Sequence, residues 1–151
     1  MLGKIKQIFT QDYVRYDGIR PINIYLMRLV YVLMVVFVGQ DAWGYILTFD
    51  GVWGSYEAMA WSVWATFATL ALVGVFRTVQ MIPILLLEIF YKVLWLVIVA
   101  YPLWQNGKLE GSSAEGMTGA FIWVVLPIVV VPWRYVGSKL ILGRSPKAEK
   151  R

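Results

Sequence analysis

Four long apolar runs limit what this chain can become. They cover roughly residues 22–41 (with continuation as far as 49), 58–76, 81–101 and 117–135. Each supplies close to the ~20 residues that a helix needs to cross a ~30 Å hydrocarbon core. In lipid a backbone must satisfy its own hydrogen bonds, so runs of this length read as helices. The chain is 60% hydrophobic and 15% charged, against about 45–50% and about 25% in soluble domains. The expected fold is all-α: a polytopic membrane protein built as a four-transmembrane-helix bundle.

Lys and Arg give an orientation. Residues Lys4, Lys6, Arg15, Arg20, Arg77, Arg134, Lys139, Arg144, Lys147, Lys150 and Arg151 flank one side of the four runs, and Lys108 alone flanks the other. The side with eleven basic residues is expected to be cytoplasmic, with both termini on it. Trp43, Tyr45, Trp53, Tyr56, Trp61 and Trp104 fall near the outer boundary, and Trp133 and Tyr135 near the inner one. That placement fits an aromatic belt. The first apolar run starts too late and runs too long for a cleavable signal peptide, so it is expected to act as its own insertion signal.

Three regions follow. In residues 1–20, Leu2, Ile5, Phe9, Tyr13 and Tyr16 share one helical face, with Lys4, Gln7, Gln11 and Arg15 away from it. This suggests either an amphipathic helix on the cytoplasmic face, ended by Asp17-Gly18, or a docked or frayed terminus. Residues 21–136 form the transmembrane domain. Residues 137–151 form a basic tail attracted to anionic lipid. Ser55–Met59 resembles Ser113–Met117, and Phe76–Val79 resembles Trp133–Val136. Either an internal repeat or the shared demands of helix ends explains that likeness. Ser112 and Glu115 have capping-box spacing.

Charges inside the runs are the candidate site. Arg28 lies ~9 Å into the first run and Glu88 ~10 Å into the third, at 1.5 Å per residue. Lys92 stands one turn beyond Glu88 on the same face. An unpaired charge at mid-bilayer costs roughly 2.5–3.5 kcal/mol on insertion scales. Glu88 is therefore expected to be shared by Lys92 and Arg28, with Tyr31 and Tyr91 completing the polar cluster. Pro127 kinks the fourth run and frees the Trp123 carbonyl, expected near Lys92. Ser62, Thr66 and Thr69 form a hydroxyl row that is expected to face the same interior. Asp41 is an acid at the outer end of the first run. Three roles fit such a cluster: structural ties between helices, a functional polar site, or pairing with another subunit.

Cys and His are both absent. That removes thiolate and imidazole ligands, so no cofactor and no metal site is expected. No phosphate-binding or nucleophile-elbow motif occurs. The basic residues flank spans and make no aromatic-interleaved stripe, so no nucleic-acid partner is expected.

The stretches RLVYVLMVVFVGQDAW, PILLLEIFYKVLWLVIVAYPLW and IVVVPWRYV resemble segments of small bacterial inner-membrane proteins with four spans and no assigned activity. The resemblance covers about residues 28–135. Its most specific piece is P-x-L-L-x-E-x-x-Y-K-x-x-W-L, from Pro83 to Leu96. It implies a multi-pass bacterial inner-membrane protein and no chemistry. A looser resemblance to DoxX-like four-helix proteins extends to size and span count only. The glycine-containing opening of that family is not evident here, so no function is carried from it.

The leading expectation is a non-enzymatic accessory or structural subunit that self-associates or joins a larger membrane assembly. The alternatives are a small transporter or channel component using Arg28, Glu88 and Lys92, and a lipid- or isoprenoid-modifying membrane enzyme.

Overall fold

The computed structural model describes residues 7–143 and is helical through most of that range. Three helices are long and apolar enough to cross a membrane: α1 Pro21–Thr48, α2 Ser55–Phe76 and α3 Ile82–Gln105. A fourth segment, α4 Glu115–Val130, is followed by α5 Trp133–Ile141, bent 70° away from it. Only 28%, 22% and 28% of the apolar windows of α1, α2 and α3 are buried within the chain. Phe37, Leu47, Phe76, Phe90 and Val129 point outward. Such a surface fits a multi-pass membrane protein rather than one bathed in water.

Each helix start has a local cause. Pro lies in the first turn of both α1 and α3, where its missing N–H leaves no bond unmade. Glu57 and Glu115 sit in the first turns of α2 and α4, near the positive end of the helix dipole. Ser112 Oγ accepts from the Ala114 N–H while Glu115 reaches back to the Gly111 N–H, a shifted form of the expected capping box. The first apolar run does continue beyond Asp41, to Thr48. Two features lay outside the sequence reading: α1 carries a π-helical turn at Met34–Val38, and α3 carries one at Leu96–Ala100.

The α1–α2 pair packs closely. Buried Ala65, Ala68, Ala71 and Gly74 present small side chains to α1. Tyr31 lies against Gly74, where an added Cβ would stand 2.7 Å from the ring; Gly39 lies against Ala68. Tyr45 stacks on Trp61 at 4.2 Å. Rising numbers on one helix meet falling numbers on the other, so the pair is antiparallel. Small residues let membrane helices approach this way. Aromatic contacts extend the packing: Phe67 of α2 stacks on Tyr91 of α3, and Phe121 of α4 meets both Tyr91 and Trp95 edge-on. The core cluster gathers Ile19, Ile24, Met27, Tyr31, Leu85 and Val131 toward one end, beside the 77–81 connection.

Two expectations about the chain's course are corrected. The amphipathic helix expected over residues 1–20 is helical only at residues 7–9 of its described part; Leu2, Lys4 and Ile5 lie outside the described residues. Asp12 Oδ1 captures the N–H groups of Val14 and Arg15, a turn that competes with helix. Asp17 and Gly18 then take φ values of 54° and 84°. The chain folds back so that Asp12 bridges Ile19, which is buried. The fourth run, expected to be continuous over 117–135, breaks instead at Val131-Pro132. Val131 is extended, with ψ 128°, as a residue before proline prefers.

Candidate functional site

Glu88 and Lys92 meet as expected. Four residues apart on α3, they share a face. Lys92 Nζ donates to Glu88 Oε1 at 2.7 Å, and both side chains are about nine-tenths buried or more. Lys92 also lies over the Phe121 ring of α4, 5.6 Å from its centroid, a favourable position for a cation. Glu88 Oε2 is buried and has no hydrogen-bond partner among the described residues.

Arg28 does not join them. Its Nε donates to Thr78 Oγ1 at 3.1 Å, and it forms no ion pair among the described residues. The reason is directional. Helical side chains lean toward their own N-terminus, and a long arginine in lipid reaches for the nearer boundary. On α1 both effects send Arg28 toward the 77–81 connection. Tyr31, fully buried, takes the same target: its hydroxyl donates to the Thr78 carbonyl at 3.3 Å. Thr78 is itself buried. Arg28 and Tyr31 thus clamp the α2–α3 connection onto α1. Thr78 was missed in the sequence because a lone threonine in a short connection carries no periodic or charge signal.

Tyr91 is half-buried beside Glu88 but engages Phe67 and Phe121 through its ring. Neither tyrosine hydroxyl donates to the carboxylate.

The Trp123 carbonyl was expected next to Lys92; no hydrogen bond joins them, and the Trp123 side chain faces outward. The helix tightens into a 3-10 turn at Ile122–Val124, just before Pro127, and the large bend falls at Pro132 instead. Two side chains repair the backbone there. Pro132 has no N–H for the Ile128 carbonyl, and the Trp133 indole N–H donates to that carbonyl at 2.7 Å. Asn23 Nδ2 of α1 donates to the Val130 carbonyl at 2.9 Å. Asn23 was another missed residue, a neutral amide beside a proline.

The hydroxyl row does not face the cluster. Thr66 and Thr69 donate back to the carbonyls of Ser62 and Ala65. Ser62 and Thr66 are exposed and line an open groove of about 460 Å³ with Trp43 and Ile46. Trp43 Nε1 donates to Thr69 Oγ1 at 3.3 Å. Asp41 is exposed on α1, seven residues before its end, and does not join the cluster.

Among the described residues no group of His, Cys, Asp and Glu is arranged to hold a metal ion. Arg28, Tyr31 and Asn23 tie separate segments together, whereas Glu88 and Lys92 pair within α3 and reach α4 only through the Phe121 ring. No protein-family model matches the chain, no curated protein matches it, and no solved structure matches it.

Proposed function

We propose that the chain is a four-span membrane protein that acts as a non-enzymatic accessory or structural subunit, self-associating or joining a larger membrane assembly. The observation that carries this reading is where the interior polar groups go. Lys92 binds Glu88, Arg28 and Tyr31 bind Thr78, and Asn23 binds Val130. These groups meet needs inside the chain, as helix-bracing residues do. The Asn23–Val130 contact supports the count of four, since it brings the end of α4 to the same end of the molecule as the start of α1. The excess of flanking basic residues on one side supports cytoplasmic termini. The resemblance to small four-span bacterial proteins supports an inner-membrane location.

The test is purification in mild detergent from the native membrane, followed by mass spectrometry of everything that accompanies the protein. The reading expects a stoichiometric membrane-protein partner or a homo-oligomer. A monomer that carries neither contradicts it.

One observation favours a second reading. Glu88 Oε2 is buried without a partner among the described residues, and an intramembrane carboxylate with a spare oxygen suits a coupled proton or cation in a small transporter. Under that reading Glu88→Gln leaves folding intact and abolishes flux in vesicles. Under the structural reading the same variant lowers the melting temperature.

A further inference from the structure

Where residues 11–20 fold back against α5, they leave a cavity of about 360 Å³. Arg20, Asn23, Trp133, Arg134 and Ser138 are among its lining residues. Arg20 and Arg134 come from chain positions more than a hundred residues apart, and neither forms an ion pair among the described residues. The cavity's acid, Asp17, is already paired with Lys139. The positive end of the α1 dipole opens on the same place, since Arg20 caps α1. Two exposed arginines without an ion pair among the described residues line one cavity, and the planar fork of arginine matches phosphate.

The position of α5 says which phosphate. On the four-span reading α4 crosses the bilayer, and α5, turned 70° from it, lies along the surface rather than through it. It exposes Trp133, Leu140 and Ile141 while carrying Arg134 and Lys139. That is the composition of an interfacial helix. The arginine-lined cavity therefore lies at headgroup depth, with apolar surface beside it for acyl chains.

We propose that this cavity binds the phosphate of an anionic lipid headgroup, held between Arg20 and Arg134. The proposal rests on the membrane-spanning part of the functional reading and is independent of whether the chain has a protein partner. It differs from diffuse attraction to the basic tail in naming two residues and one cavity.

The test is native mass spectrometry of the full-length protein in mild detergent, titrated separately with phosphatidylglycerol, phosphatidylcholine and inorganic phosphate. Phosphatidylglycerol is expected to be retained about tenfold more tightly than phosphatidylcholine, whose choline cation offsets the phosphate charge and is repelled by the two arginines. Arg20→Gln with Arg134→Gln should erase that preference, and Arg77→Gln, outside the cavity, should preserve it. Arg20→Lys with Arg134→Lys keeps the charge without the fork and should retain part of it, which covers the case of a misfolded glutamine variant. A preference that survives the double glutamine variant overturns the proposal, as does equal loss in Arg77→Gln, which means diffuse charge. Inorganic phosphate bound as tightly as phosphatidylglycerol overturns the lipid assignment. Loss of a protein partner with lipid preference intact contradicts the subunit reading alone.

Discussion

Helix α2 and the α4–α5 segment begin and end on similar sequence, and they take different shapes. Both open on Ser-x-Glu-x-Met and close on an aromatic-Arg-x-Val run. Yet α2 is one helix of 22 residues, while its counterpart breaks at Val131-Pro132 and turns by 70°. The likeness lies at the ends, where a first-turn acid and a closing arginine answer the helix dipole and the membrane boundary. The difference lies in the middle. α2 has no proline and offers a stripe of Ala and Gly to α1; α4 contains Pro127, Pro132 follows it, and the break is held by Asn23 and Trp133. The two hairpins are therefore not equivalent halves of a repeat.

Glycine gives the largest contrast. Gly74→Leu in α2 drives a side chain into the Tyr31 ring, whose atoms already stand 2.7 Å from the position of a Cβ. It should destabilise by about 3 kcal/mol, the upper range for overpacking. Gly119→Leu in α4 meets nothing within 4 Å and should change stability by less than about 0.5 kcal/mol. Thermal unfolding in detergent measures both, and equal effects would erase the distinction between the two helices. Thr78→Val removes the acceptor of Arg28 and should cost about 1–2 kcal/mol, read in the same assay. Asn23→Leu leaves the Val130 carbonyl unpaired at the break and should cost about 0.6–1 kcal/mol, as interhelical bonds in membranes do. Pro132→Ala restores a backbone donor to Ile128 and should change stability least. Its effect is on shape: spin labels on α4 and α5 should move apart as the bend opens. An unchanged distance would place the cause of the bend elsewhere.

Much of the helical layout was readable because hydropathy and proline act locally. The four runs, the opening prolines and the Glu88–Lys92 pair all follow from spacing along one element. The partner of Arg28 did not, because matching depth pointed to Glu88 and a lone threonine in a short connection gave no competing signal. Side-chain direction then decided between them. Pro127 read as the kink of the fourth run; the break falls instead at Pro132, which is preceded by an extended residue that ends the helix. The hydroxyl row misled because Thr66 and Thr69 satisfy themselves on their own backbone, which frees them to face outward. The N-terminal wheel misled because Asp12 captures two N–H groups, a local bond that a periodicity argument ignores.

The central claim is that the buried Glu88–Lys92 pair braces the molecule. A thermodynamic cycle of Glu88→Gln, Lys92→Gln and the double variant, followed by unfolding in detergent, tests it most directly. Each single change strands a buried charge and should cost about 3–5 kcal/mol, and the double variant should recover most of the loss. Single variants as stable as the unmodified protein would show that the buried pair does not stabilise the fold, and would move the weight to a transport role for Glu88.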